Sequence, residues 1–520
     1  MDNQYVLAMY DVRGIQGYIF ATNEVHDIIG ASNLVENIIL KGLESIIKKH
    51  QEWDEHHFLV NWEQDTKIVI LEDKNIVMQV LFIGGGNAYV LFRDREVCKT
   101  VNRELAKYVL ENTYSLNLAV AVVPKSESYL KDYDAINLEM RKVKARMVPV
   151  KPIGSMPFMK TDSITGYPLT GISRYGGQEE ITTESKCKQA CLEKEKDPAK
   201  IFDNMVTQKG DNSTLAVIHI DGNSMGSRIK DIMRTKANYR DAVSTMREIS
   251  QNISKSFLDA FDDMCKKMDE KSALVKKKSE NKLYRRIIIA GDDITFVCNP
   301  KLAFMAVETF IQSVTEKDMY RDEALSDAEN HKKYGFSACA GIAFFNSHFP
   351  FSDAYQVAEA CCGSAKSAAK EKEHRNGGAE NGLIGCYIDY QFCVNIRAAQ
   401  LKEYRDRHYS YSDDPGSMLM RPYYIHAAAY SEITDLEERN RDRSMETLWT
   451  NLRAFTAGEE GKNIVRSHAK KLRSAYAVGL EEVDRFVTFL VSRDVKLPET
   501  DRTSWYDALE FMDFYEEGIR

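Results

Sequence analysis

At 520 residues the chain is long enough for two to four domains of ordinary size. Its 43% hydrophobic and 28% charged residues are globular values, and a formal net charge of −8 excludes a protein that coats nucleic acid through overall positive charge. No apolar run is long enough to span a bilayer, no N-terminal signal pattern is present, and the ten cysteines are scattered, mostly inside apolar stretches, so a cytoplasmic protein with reduced thiols and no membrane partner is expected.

The first stretch, YVLAMYDVRGIQGYIFAT (5–22), reads as a buried strand ending at Asp11, a glycine-containing turn, and a helix running to about Leu40. QVLFIGGGNAYVLF (79–92) is an apolar run broken by three glycines, the signature of a hairpin. A helix over about 94–111, a strand over 117–123 and a helix with Met140, Val143 and Met147 on one side close this block near residue 148. Residues 149–210 carry several prolines, among them Pro152, Pro157, Pro168 and Pro198, and read as a connector or small insert. Cys187 and Cys191 sit four apart there without a second Cys or His pair, which predicts two half-buried thiols on a short helix and no zinc site.

From residue 214 the order repeats. TLAVIHIDGNSMGSRIKD (214–231) is a strand ending at Asp221, a glycine turn and a helix. RRIIIAGDDITFVC (285–298) is an apolar hairpin, FSACAGIAFF (336–345) a strand, and DAYQVAEACCGSAKSAAK (353–370) a closing helix. Asp11 aligns with Asp221, and IGGGNAYVL (83–91) with IAGDDITFV (289–297). Four elements in the same order indicate internal duplication. The basic run 266–286 is mixed with acids and reads as a solvated loop between elements, and 391–520 has helical spacing. The expected fold is therefore α+β: two tandem ferredoxin-like domains of β-α-β-β-α-β type forming a pseudo-dimer, plus a C-terminal α-helical domain. The expected boundaries are 1–148 for the first copy, 149–210 for the connector, 211–390 for the second copy and 391–520 for the helical domain.

The two copies differ in charge. A β-α-β-β-α-β frame makes the first strand and the hairpin neighbours, which brings Asp221 beside Asp292 and Asp293. Three carboxylates repel and desolvate one another unless a cation sits among them, and Mg²⁺ or Mn²⁺ with oxygen ligands suits that role. Asp221, the Gly222 carbonyl, Asp292 and Asp293 are the candidate metal ligands, and the three aspartates the candidate catalytic residues. The turn after Asp221, with Gly222, Asn223, Ser224 and Gly226, leads into a helix N-terminus that presents N–H groups to phosphate, and Gly291 opens the acidic turn. Lys366 and Lys370, one turn apart on the closing helix, are placed to neutralise phosphate charge. Each feature alone is an ordinary solvated turn or helix face; their joint placement on one frame points to phosphoryl or nucleotidyl transfer.

A strand-Asp, an acidic hairpin, an Ala-Gly-Ile-Ala strand and a Ser-Ala-Lys helix resemble the nucleotide-cyclase and polymerase palm. More closely, with DVRGIQGYIFATNEVHDIIGAS (11–32) opening the first copy, residues 1–390 resemble the large polymerase-cyclase subunit family of type III CRISPR systems and its stand-alone relatives. The resemblance implies two ATP molecules held between two palms, and a cyclic or short oligonucleotide signal in antiviral defence. It implies that Gly14, Gln16, Ser32, Gly84, Gly85, Gly86 and Asn87 form the nucleotide pocket of the first palm, which has Gly86 and Asn87 where the second has its two aspartates. The family's GGDD hairpin reads Ala290-Gly291-Asp292-Asp293 here, its His-Asp nuclease motif is matched only by His26-Asp27 inside the first palm's helix, and its zinc-binding cysteines are mostly missing around 156–171. Other readings are a diguanylate cyclase, a catalytically weak nucleotide-binding regulatory module, or a subunit of an RNA-guided complex with an RNA or protein activator, for which Lys276, Lys277 and Lys278 would contact RNA.

Overall fold

The computed structural model describes residues 5–520 apart from 64–67, 85, 149–155, 176–177, 193–201, 207–212, 237, 276–281, 376–383, 395, 413–415, 428–439 and 457–463. Packing divides the chain into two units that alternate along the sequence. The first comprises Met1–Ile201, Ser224–Lys255 and Ile287–Asp293, and the second Phe202–Asn223, Ser256–Arg286 and Ile294–Arg520. The connector and the C-terminal region are thus grouped with larger bodies.

In the first unit, β1 (Val6–Arg13) is followed by α1 (Ile15–Ile19) and α2 (Val25–Lys49). Then come β2 (Phe58–Leu59), the hairpin of β3 (Met78–Gly84) and β4 (Asn87–Phe92), α3 (Arg95–Thr113), β5 (Asn117–Pro124) and α4 (Tyr129–Arg146). Val6 to Tyr10 are all buried, as expected of a strand covered on both faces, and β1 lies inside a sheet of order β2-β3-β4-β1-β5. Its antiparallel registers pair Asp11 with Asn87 on one side and Arg13 with Asn117 on the other. Helix α3 buries Cys98, Val101, Leu105 and Val109, a single helical stripe, behind an Asp94 cap that accepts from the Glu96 amide. The connector contributes β6 (Leu169–Ile172), β7 (Glu180–Thr182) and α5 (Thr183–Ala190). Lys188 on α5 is fully buried and donates to the Tyr18 carbonyl at 2.7 Å and to Glu184 at 2.6 Å. Cys187 and Cys191 are half-buried free thiols, as expected.

The second sheet starts with β8 (Thr214–Gly222), after which come α6 (Met225–Arg234) and α7 (Tyr239–Val275). A hairpin of β9 (Tyr284–Ala290) and β10 (Asp293–Cys298), α8 (Ala303–Thr315), α9 (Asp327–Tyr334), β11 (Ala338–Asn346) and α10 (Phe351–Arg375) complete the second copy. The sheet order is β13-β12-β11-β8-β10-β9, in which β9-β10-β8-β11 repeats β3-β4-β1-β5 of the first sheet. Two strands come in addition: β12 (Cys386–Phe392), parallel to β11, and β13 (Tyr423–Ile425) from the C-terminal region. Among its described residues that region also carries the helices α11 (Leu401–His408), α12 (Met445–Thr456), α13 (Arg466–Val478), α14 (Leu480–Val491) and α15 (Tyr506–Phe511).

One expectation is corrected. The stretch 266–275 is the end of α7 and not a loop, because Met264, Met268 and Val275 recur at helical spacing and are buried beneath the charged residues. Lys276, Lys277 and Lys278 lie outside the described residues. Gly341 sets the depth of α10 on the sheet: a methyl there would fall inside the Ala358 carbonyl and the Cys362 amide. Among the described residues no helix is long and apolar enough to cross a membrane.

Candidate functional site

Strand β8 delivers Asp221 at the rim of its sheet, where the carboxylate is partly exposed. Lys366 reaches it from α10, which Gly341 allows to pack directly on β11. The Lys366 ammonium donates to Asp221 Oδ2 and, at 3.0 Å, to the Gly222 carbonyl. Burial pulls this ammonium down, but the hydrogen bond and charge of Asp221 outweigh it and hold the lysine above its ordinary value. Two residues back on β8, His219 is buried with Nδ1 3.2 Å from Thr295 Oγ1 on β10. Burial pushes its imidazole down to about 4, against the pull of Asp221 and together with the charge of Lys366. The Asp221 carboxylate and Gly222 carbonyl are hard oxygen donors that already converge on a cation, the chemistry a Mg²⁺ or Mn²⁺ ion asks for.

The first unit repeats this contact. Lys144 on α4 donates to Asp11 Oδ2 at 2.6 Å, and Arg13 ties the end of the same helix by donating to the carbonyls of Lys144, at 2.9 Å, and Met147, at 3.3 Å. Lys144 was not singled out by sequence reasoning. The signal was available: the partner lies 133 residues after Asp11 and 145 after Asp221, each time on the closing helix of its copy.

Both hairpins turn on two residues. Gly291 takes φ +66° and Gly86 φ +81°, so left-handed backbone falls on glycine in each. Ala290 closes β9 with ordinary φ, so the alanine departure demands nothing of its backbone. Asp292 and Asp293 are half-buried, Asp293 opening β10, the neighbour of β8. Among the described residues no group of three or more His, Cys, Asp and Glu side chains is assembled to hold a metal.

The remaining candidates separate. Asn223 is buried and donates to Ser337 Oγ at 3.3 Å and the Gly385 carbonyl at 3.4 Å, so it braces the turn. Ser224 adopts φ +54° at the start of α6, and Gly226 is exposed. Lys370 is exposed, one turn beyond Lys366. In the first unit Gly14, at φ +77°, and Gln16 are exposed, whereas Ser32 is buried within α2. Gly84, Gly86 and Asn87 are partly exposed around the hairpin, the Gly86 carbonyl accepting from the Val12 amide at 2.9 Å; Gly85 lies outside the described residues. Gly14 also borders a cavity of about 470 Å³ on the β5 side of β1, walled by Tyr18, Asn117, Tyr167 and Glu184. His26 and Asp27 are buried, 3.3 Å apart, with Asp27 accepting from Gln189 at 3.0 Å, a structural role.

A family model for the second palm domain of Cas10/Cmr2 matches residues 214–379, the segment that holds Asp221, the acidic hairpin and Lys366. That segment is thus similar in sequence to the Cas10/Cmr2 second palm domain. Solved structures resemble this chain along nearly its whole length. A Csm1-Csm4 cassette in complex with AMPPNP matches with a TM-score of 0.51 at 11% identity, over 98% of this chain and 70% of the other. Csm1 from T. onnurineus matches with a TM-score of 0.50 at 12% identity, over 99% and 70%. At such identities the likeness is one of fold. No curated protein matches the sequence.

Proposed function

We propose that this chain is a Cas10-like, Mg²⁺- or Mn²⁺-dependent nucleotidyltransferase that joins NTPs, ATP foremost, into a cyclic or short oligonucleotide signal. The single observation that carries the reading is the asymmetry of two otherwise matching strand-hairpin rims. Asp11 faces Asn87 across the first, while the corresponding residues of the second are Asp221 and Asp293, with Asp292 beside them. The shared strand order β3-β4-β1-β5 and β9-β10-β8-β11 supports reading both sheets as ferredoxin-like palms. The His219–Thr295 contact supports it further: two residues on toward the turn from each are Asp221 and Asp293, and strand side chains alternate, so both pairs belong to the same face.

In this reading Asp221, the Gly222 carbonyl, Asp292 and Asp293 hold the metal. Bound there, a divalent ion supplies the positive charge that acidifies an attacking 3′-hydroxyl and steadies the leaving pyrophosphate. Lys366 and Lys370 balance phosphate charge, and the backbone around Gly222, Ser224 and Gly226 approaches the phosphates of the nucleotide. The first copy, with one carboxylate at its rim, holds the second nucleotide without a metal pair. The Csm1-Csm4 cassette's complex with AMPPNP supports an adenine nucleotide as ligand, and its two-protein composition supports a protein partner.

The test is incubation of the purified chain with each NTP and Mg²⁺ or Mn²⁺, with and without RNA, reading pyrophosphate release and product mass. ATP should give pyrophosphate and an adenylate oligomer, and the Asp292→Ala/Asp293→Ala double variant should give neither while melting like the wild type. Absence of pyrophosphate under every condition overturns the reading; tight nucleotide binding without product would instead establish a regulatory binding module.

A further inference from the structure

We infer that Lys366 is an internal counter-ion that occupies the cation position of Asp221 and Gly222, and that it must leave before a divalent metal can bind there. The inference rests on the metal reading above. Its ground is geometric: one ammonium bonds both the Asp221 carboxylate and the Gly222 carbonyl, the two oxygens of β8 proposed as metal ligands. An ammonium and a dication cannot share that contact, because like charges a few ångströms apart repel strongly in a partly desolvated site.

The first copy shows what the same device does when no metal is called for. Lys144 holds Asp11 in the same way, and the facing residue is the neutral Asn87. One carboxylate meets one ammonium, and the charges balance. In the second copy the hairpin carries Asp292 and Asp293 where the first has Gly86 and Asn87, so two further carboxylates stand at the corresponding turn. The lysine is thus a resident cation in the first copy and a placeholder in the second. Lys366 sits on a long, rotatable stem only partly covered, with 24% of its side chain exposed, so it can swing from the carboxylate toward an arriving phosphate. Metal entry and phosphate capture then become one exchange: the dication takes the oxygens, and the released ammonium takes the anionic ligand. Free metal alone should bind poorly, and metal arriving with a nucleotide should bind well.

Mn²⁺ titration of the nucleotide-free full chain, followed by the electron paramagnetic resonance signal of free Mn²⁺, tests this. Lys366→Met should bind Mn²⁺ at least tenfold more tightly than the wild type. Lys366→Arg, which keeps a cation in place, should stay close to the wild type, and Asp221→Asn in the Lys366→Met background should lose the gain. Melting temperatures of all variants, and the Mn²⁺ affinity of the wild type with a non-hydrolysable ATP analogue present, complete the set. If the wild type and Lys366→Met bind Mn²⁺ equally and through Asp221, the counter-ion role is overturned and the metal site stands. If no protein binds Mn²⁺ with or without nucleotide, the role and the metal site are both overturned. A misfolded Lys366→Met leaves the wild type to decide: Mn²⁺ affinity unchanged by the analogue overturns the exchange, and affinity raised at least tenfold upholds it.

Discussion

Replacing Gly341 by alanine adds one methyl group where the backbone of α10 lies against β11. That methyl would fall inside the Ala358 carbonyl and the Cys362 amide, and neither can rotate away as a side-chain tip could. Overpacking of this kind costs about 1–3 kcal/mol, and rigid backbone obstacles put Gly341→Ala near the top, about 3 kcal/mol. At about 2 °C per kcal/mol for a body of more than 200 residues, the melting temperature should fall by roughly 6 °C. Gly363→Ala is the internal control: it lies on the same helix, a methyl there meets nothing within 4 Å, and helix propensity alone should stabilise by about 0.5–1 kcal/mol. Differential scanning fluorimetry of the two variants reads both signs. A Gly341→Ala protein melting within 1 °C of the wild type would refute the close approach, and with it the account of how Lys366 reaches Asp221.

Two buried groups should give opposite pH dependences. His219 titrates near 4 in the folded chain and near 6.5 unfolded, so its contribution is complete above pH 6.5 and is lost as pH falls toward 4, about 3 kcal/mol in all; His219→Gln should flatten that limb of a melting profile. Glu308 is pushed up to about 7 by burial, against Arg520 and the Trp449 Nε1 hydrogen bond, so its contribution is complete below about pH 4.5 and is lost as pH rises through 7. Glu308→Gln should therefore raise the melting temperature at pH 8 and leave it nearly unchanged at pH 4.5. Gly86→Ala should destabilise more than Gly291→Ala by urea unfolding: both force alanine into left-handed backbone, about 1 kcal/mol or more, but only the first also strikes a side chain, that of Ile15.

What sequence reasoning could reach was set by range. The central strands announce themselves because β1 and β8 are continuous apolar runs closed by an aspartate, and the hairpins because glycines interrupt apolar runs at their midpoint. Duplication was legible for the same reason, as one local pattern met twice. The Lys144–Asp11 contact was not, since a lysine on an amphipathic helix looks solvated until the helix's position on the sheet is known. Nor was β12, whose parallel pairing with β11 has no local turn to signal it. Charged residues hid the buried stripe at the end of α7, and the inward direction of Asn223 depends on Ser337 and Gly385, far away in the chain.

The alternation of the two units along the chain has a consequence for synthesis. The sheet around β1 is encoded in full by residue 124, yet the unit it belongs to also takes in Ser224–Lys255, whose Arg247 donates to the carbonyls of Val80 and Leu81, and finally Ile287–Asp293. A ribosome must therefore carry translation past the midpoint before the earlier body has all its parts. No single cleavage or truncation point yields either body whole, so a fragment ending near residue 201 would emerge with the Val80 and Leu81 carbonyls lacking their guanidinium donor. The acidic turn is the last piece the first body receives.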